Sequence, residues 1–292
     1  MGAGTKDNGT LRLGLPKGRM QQGVMTLLSE AGIEVRASAR DYRPTVSVPW
    51  LEAKILKPQN IIEMLHAGSR DVGFAGADWV AELDADLVEL LDTGLDRVRL
   101  VAAAPGATLV GGKLPARALV VASEYERLTR EWIEAAGLKA TFVRSYGATE
   151  VFAPDDADCI VDIAASGATL EANRLDVVAE LMTSSTRLYA NRRAMEDAGK
   201  RKAAETLVML LRSVLEARRR VMLEVNVPAD RLEAVCAALP CMREPTISPL
   251  HGGAGFAVKA AVPRDLLPSV IPELKARGGT DIVVSGVGQI VP

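Results

Sequence analysis

Short apolar runs alternate with helical segments from residue 11 to about residue 164, and few folds accept that alternation. "LRLGL" (11–15), "AKILK" (53–57), "DVGFAG" (71–76), "RVRLVAAAP" (97–105), "ARALVVA" (116–122), "KATFVRSYG" (139–147) and "DCIVDIA" (158–164) read as strands. Between them, "MQQGVMTLLSEAG" (20–32) puts Val24, Leu27 and Leu28 on one helical face and stops at Gly32. "PQNIIEMLHAG" (58–68) opens on Pro58, which suits a first helical turn, and closes on Gly68. "ADWVAEL" and "SEYERLTREWIEAAG" (123–137) supply further helices. The alternation predicts a parallel α/β sheet in two lobes, with 97–105 crossing from the first to the second.

The pattern changes after a long amphipathic helix, "KAAETLVMLLRSVLEARRR" (202–220), striped by Leu207, Val208, Leu211, Val214 and Leu215. Its last residues, Arg218, Arg219 and Arg220, complement the helix dipole and read as a solvated end. Then come a strand (221–227), a helix (228–239), two strands (245–250 and 255–262), a helix (263–278) and a last strand (280–291). That order, β-α-β-β-α-β, predicts a ferredoxin-like module, a fold that does not by itself fix a ligand.

Bulk properties narrow the function. A chain of 292 residues has room for two or three domains, and 48% hydrophobic with 25% charged residues is ordinary for a globular protein. The net charge of -2 provides no global field for nucleic acid, so a polyanionic ligand must be met by a local cluster of Lys and Arg. Cys159, Cys236 and Cys241 form no C-x-x-C pair and read as reduced thiols in a cytoplasmic protein. His66 and His251 are the only histidines, which makes a histidine-rich metal site or a Ser-His-Asp triad hard to build. The opening "MGAGTKDNGT" reads as a polar tail and not as a signal peptide. No apolar run approaches the ~20 residues that span a bilayer, so no membrane partner is expected.

The chemistry is carried by loops. In "CIVDIAASGATLEANRL" a single acid, Asp162, ends an apolar strand, and the small residues 164–169 follow. Backbone N–H groups in such a loop can approach an anion closely, with Ser166 and Thr169 adding hydroxyls and the next helix adding its positive end. A bare phosphate would avoid Asp162, whereas a sugar phosphate would use it to accept from ribose hydroxyls. The alternative is a small-residue turn chosen for tight strand–helix packing. "LPKGRM" places Lys17 and Arg19 on either side of Gly18 at the end of the first strand, where two cations can converge on one anion; a basic turn in solvent is the alternative. Arg43 and Lys57 can add to that cluster. "GSRDVGFAGADW" sets Gly73 and Gly76 around Phe74 and puts Asp78 at a helix start, either as a nucleotide-facing edge or as a helix N-terminal acid.

Together these segments resemble the ATP phosphoribosyltransferase family in its long form, from about residue 11 to the end. The resemblance lies in "LPKGRM", "AGSRDVGFAGAD", "YGATEVFAP" with "ADCIVDIAASGATLEANRL", and "LPCMREPTISPL". It implies a two-lobed catalytic part like type II periplasmic binding proteins plus an ACT-like regulatory domain. Lobe I would hold 11–101 with 186–218, lobe II 102–185, and the regulatory domain 219–292. It implies ATP and phosphoribosyl pyrophosphate as substrates, Mg2+ as cofactor, histidine as feedback inhibitor, and a homo-oligomer between dimer and hexamer.

Arg19 and Arg43 match family arginines near the leaving pyrophosphate, and Lys17 is expected to act with them as a catalytic residue. Glu150, Asp162, Ala165, Ser166, Gly167, Ala168 and Thr169 match the sugar-phosphate site, and Gly73, Gly76, Asp78 and Asp92 complete the substrate-binding set. Asn226, Met242, Thr246 and Asp281 fall at the inhibitor positions. Ala165, Asn60 and Asn226 depart from the commoner family residues; Asn226 stands where an aspartate often meets the inhibitor's amino group. Two rivals stay open: a solute-binding protein without turnover, and a phosphoribosyltransferase for another base. The second is disfavoured because Ile163 and Ala164 follow Asp162 where such enzymes carry adjacent acids.

Overall fold

The computed structural model describes residues 9–37 and 42–291. Most of the expected polar tail, residues 1–8, lies outside the described residues. The chain divides into two compact units. One holds residues up to Ser29 with Ile33–Val208, and the other holds Glu30–Gly32 with the chain from Met209 on.

In the first unit the order is β1 (Leu11–Pro16), α1 (Arg19–Glu30), β2 (Val35–Arg36), β3 (Thr45–Val46), β4 (Leu51–Leu56), α2 (Pro58–His66), β5 (Val72–Gly76) and α3 (Ala77–Glu82). It continues through β6 (Val88–Pro105), β7 (Leu119–Ser123), α4 (Glu126–Ala135), β8 (Ala140–Arg144), β9 (Cys159–Ala164), α5 (Ala168–Ala172), β10 (Leu175–Ala190) and α6 (Arg192–Glu196). Helix α7 (Ala198–Arg218) starts in this unit, earlier than its apolar stripe suggests, because Asp197 Oδ1 accepts from the Lys200 N–H at 2.9 Å.

Eight strands form one sheet, ordered β4-β1-β5-β10-β6-β9-β7-β8. The sheet is mixed, which corrects the parallel expectation. Strands β4, β1 and β5 are parallel to one another, as are β9, β7 and β8. The long strands β6 and β10 lie between these halves and pair antiparallel with each other and with their neighbours. The two parallel halves therefore run in opposite senses, and their carboxyl ends meet. Strand β5 ends at Gly76, opposite Thr186, and β9 ends at Ala164, opposite Arg99, which itself faces Thr183. One short stretch of the β6–β10 crossing thus receives both edges at which open α/β sheets bind ligands.

Two features fix the first half. Gly14 and Gly73 are register partners on β1 and β5, and a Cβ on Gly73 would lie 2.4 Å from Ile61 Cγ2, so the glycines make the slot into which α2 packs. At the opposite, amino end of β5, the Asp71 side chain is only 2% exposed. Its carboxylate accepts from Arg12 at 2.7 and 2.9 Å and meets Lys200 Nζ at 3.3 Å.

The second unit holds β11 (Arg220–Val227), α8 (Leu232–Cys236), β12 (Thr246–Pro249), β13 (Phe256–Pro263), α9 (Leu267–Ala276) and β14 (Thr280–Gly286). The strands form an antiparallel sheet in the order β12-β13-β11-β14, which is the ferredoxin-like arrangement. Alternate residues of β11, including Val221, Leu223 and Val225, pack with Val258, Val262 and Leu274 into its core.

Candidate active site

The β6–β10 crossing is lined with polar groups. A cavity of about 150 Å³ opens there between Lys17, Arg19, Asp78, Asp96, Tyr125 and the hydroxyl run Ser184–Ser185–Thr186. A second, of about 390 Å³, is bounded by Asp92, Arg97, Arg99, Ala165 and Thr183, and shares Ser184 and Ser185 with the first.

Asp78 is the buried centre of the first cavity. It follows β5 by two residues, and Gly76 lets it fold back on the strand, since a Cβ there would sit 2.2 Å from Asp78 Oδ1. The carboxylate accepts from Tyr125 Oη at 2.6 Å and Ser184 Oγ at 2.5 Å, and the Asp78 N–H donates to Ser184 Oγ at 3.0 Å. Burial first, and then the Asp78 charge, push the Tyr125 hydroxyl well above the usual phenol range, so it remains a donor. The Tyr125 ring stacks on Trp79 with centroids 4.6 Å apart.

The basic loop borders the same cavity. Gly18 has a φ of +90°, and Lys17 and Arg19 beside it are exposed. Lys17 Nζ donates to Tyr42 Oη at 3.3 Å, and Arg19 Nη1 donates to the Asp96 carbonyl at 3.3 Å. Arg43 follows Tyr42 and is exposed. Gly73, by contrast, sits inside β5 beneath Ile61. Asp92 accepts from Ser185 Oγ at 2.7 Å and from the Gly94 N–H at 2.8 Å. Burial works to raise Asp92, but those bonds, with Arg187 and Arg97 nearby, outweigh it and hold the carboxyl below its usual range.

Asp162 contrasts with it. It is half-buried on β9 and accepts from the Ile163 N–H at 2.7 Å. Burial lifts its pKa to about 6; the Ile163 N–H works against that lift, and the Glu150 and Glu124 charges add to it. Beyond it Ala165, Ser166, Ala168 and Thr169 are exposed, and Gly167 takes a φ of +84°. Helix α5 has only five residues, so what it offers an anion is free backbone N–H groups more than a long dipole. Among the described residues no three His, Cys, Asp or Glu side chains gather to hold a metal. Mg2+ needs no such cage, since it commonly binds through substrate phosphates and one or two carboxylates; Asp162 and Glu150, close enough for the Glu150 charge to raise Asp162, are carboxylates of that kind.

Trp79, Asp96, Tyr125 and Ser184–Thr186 were not singled out from the sequence. The one local signal was the run of four hydroxyl residues, Thr183 to Thr186. In the second unit the four candidate regulatory residues separate into pairs. Asn226 Nδ2 donates to Asp281 Oδ2 at 3.1 Å, while Met242 and Thr246 line a cavity of about 340 Å³ together with Met222 and Lys259.

Residues 57–213 match the family model described as ATP phosphoribosyltransferase, and residues 217–289 match the one described as HisG, C-terminal domain. The chain is 37% identical to the ATP phosphoribosyltransferase of Pelotomaculum thermopropionicum and 36% identical to that of Desulforudis audaxviator, in each case over 97% of this chain and 99% of the relative. Its fold is similar to that of an ATP phosphoribosyl transferase (HisG:HisZ) complex from Thermotoga maritima, with a TM-score of 0.63 at 24% identity over 71% of this chain and 99% of that one. Fold, site and relatives define an enzyme of the pentosyltransferase class. The chain belongs to the ATP phosphoribosyltransferase family, which carries out the first step of histidine biosynthesis.

Proposed function

We propose that the crossing of β6 and β10 binds ATP and phosphoribosyl pyrophosphate together and transfers the phosphoribosyl group to N1 of the adenine. One observation carries this reading. The basic loop after β1 and the carboxyl end of β9, through Ile163 and Ala165, border cavities that share Ser184 and Ser185. A cationic loop for a leaving pyrophosphate thus borders one cavity, and the small-residue loop that follows Asp162 begins at the wall of the other.

In the reaction the N1 lone pair attacks the anomeric carbon while the bond to pyrophosphate breaks, with inversion. No protein nucleophile is required. Positive charge develops on the ribose and negative charge on the leaving oxygens, so catalysis is positioning plus electrostatics. Lys17, Arg19 and Arg43 stabilise the leaving group. Glu150 and Asp162 accept from the ribose hydroxyls, and the N–H groups of residues 165–169 hold the 5-phosphate. Mg2+, when bound with the pyrophosphate, would be held by Asp162 and Glu150 and would neutralise charge on the phosphates.

The regulatory reading is that histidine binds the second unit through Asn226, Met242, Thr246 and Asp281, in an oligomer between dimer and hexamer. The experiment is a turnover assay with ATP, phosphoribosyl pyrophosphate, Mg2+ and a pyrophosphatase, with and without histidine. Arg19→Ala is expected to lose about 10²–10³-fold in kcat with a smaller change in KM, as for removal of a group aimed at transition-state charge. A raised KM at unchanged kcat would remove Arg19 from that role, and ATP binding without turnover would overturn the enzymatic reading.

A further inference from the structure

A second cationic cavity lies in the ferredoxin-like unit, with no residue in common with the β6–β10 crossing. Helix α7 ends at Arg218 and β11 begins at Arg220, with only Arg219 between them. Strand β13 ends beside them, Pro263 being the register partner of Arg220, and the next residue, Arg264, donates its backbone N–H to the Arg219 carbonyl at 2.9 Å. Four arginines are thereby fixed around a cavity of about 610 Å³, with Glu216 and Asp265 as the acids on its wall. That volume lies in the range of small-molecule sites.

The charges there are not balanced from within. Arg218 is committed to Glu30, at 2.8 and 2.9 Å. Arg220 Nε is buried with no hydrogen-bond partner, and the Glu216 carboxylate stops 3.7 Å short of it. The side chains of Arg219 and Arg264 make no hydrogen bond or ion pair with any described residue. A solvated helix end does not require a buried guanidinium N–H held by an ion pair without a hydrogen bond, and leaving one is costly to the fold. An anionic oxygen in the cavity would meet instead the exposed side chains of Arg219 and Arg264 on its wall. Guanidinium groups pair bidentately with phosphate and carboxylate, and several arginines along one wall suit an anion with more than one charged group.

We propose that the arginine-lined cavity between α7, β11 and β13 binds a diphosphate-bearing small molecule, separately from the catalytic crossing. The shared chemistry is two linked phosphates, whether as inorganic pyrophosphate or as the tail of a nucleotide. The test is calorimetric titration of the full chain with pyrophosphate, with ADP, and with sulfate as a control for simple charge attraction. The wild type is expected to show two classes of pyrophosphate site. In Arg219→Ala/Arg264→Ala, where both side chains are exposed, one class weakens at least tenfold while turnover and the circular dichroism spectrum stay unchanged. Arg19→Ala keeps the class that the double variant loses, so failure of the catalytic reading and failure of this one are told apart. Preference for pyrophosphate or for ADP in that class identifies the source. A single class in the wild type, identical titrations of wild type and double variant, or sulfate binding as tightly as pyrophosphate would each overturn the proposal.

Discussion

Asp162 is raised from an ordinary 3.8 to about 6, chiefly by burial, and this makes the candidate active site unstable in a way that can be measured. The folded chain holds the Asp162 proton more tightly than the unfolded chain does. Between pH 3.8 and 6 the unfolded state therefore releases its proton first, and stability falls as pH rises. Below that window the group costs nothing. Above it the cost is full, and a shift of this size corresponds to about 3 kcal/mol at 1.36 kcal/mol per pKa unit. Asp162→Asn keeps an oxygen to accept from the Ile163 N–H and removes the charge. The variant should match the wild type near pH 4 and be more stable by up to about 3 kcal/mol at pH 7, at about 2–4 °C of Tm per kcal/mol for a unit of this size. Its turnover should fall, because the ribose hydroxyls lose their anionic acceptor. Thermal unfolding of both proteins from pH 4 to pH 8 checks the first half. Calorimetry of phosphoribosyl pyrophosphate binding near pH 6, in buffers of different ionisation enthalpy, checks the second: hydroxyl donors favour the charged carboxylate, so binding should release up to about half a proton more in the wild type than in the variant. A stability difference that does not change with pH, or an Asp162→Asn protein less stable than wild type at pH 7, would refute the reasoning.

Gly76→Ala should destabilise by about 1–3 kcal/mol and lower turnover, since its Cβ would displace the Asp78 carboxylate 2.2 Å away; Tm and kcat measured together test this. Tyr125→Phe removes the 2.6 Å bond to buried Asp78 and should cost about 1–3 kcal/mol, read as a lower urea midpoint at unchanged m. Asp71→Asn removes the buried carboxylate that Arg12 and Lys200 share and should cost about 3–5 kcal/mol, read as a lower Tm.

How much was legible depended on whether local chemistry or chain topology fixed the residue. Strand β5 was readable to within one residue, because a wholly buried apolar run is bounded by turn residues. Strand β10 was not read at all. Its pairing with β6 shifts register five times, so neither period 2 nor period 3.6 persists along Leu175–Ala190. The first half of β6 was hidden for a similar reason: Gly94 and Asp96 take positive φ inside the strand and read as a turn. Without these two strands the sheet looks parallel throughout. The same division holds in the site. Lys17, Arg19 and Asp162 lie in or beside loops whose composition suggests an anion or a sugar. Tyr125 and Ser184 reach Asp78 only because the sheet brings together residues 47 and 106 positions away.

Asp71 and Asp162 make the functional argument by comparison. Both are acids in the same sheet, and Asp71 is the more deeply buried. Asp71 lies at the amino end of β5, where Arg12 and Lys200 overcome the cost of burial and hold it below its usual range. Asp162 lies at the carboxyl end of β9, where its charged neighbours are Glu150 and Glu124 and burial prevails. The chain carries cations enough to have paired it, as the Asp71 cluster demonstrates. An acid left without a cation beside a small-residue loop is stabilised only when something else supplies the donors. At the carboxyl edge of a sheet, the proposed function assigns that part to the hydroxyl-bearing, phosphate-bearing substrate.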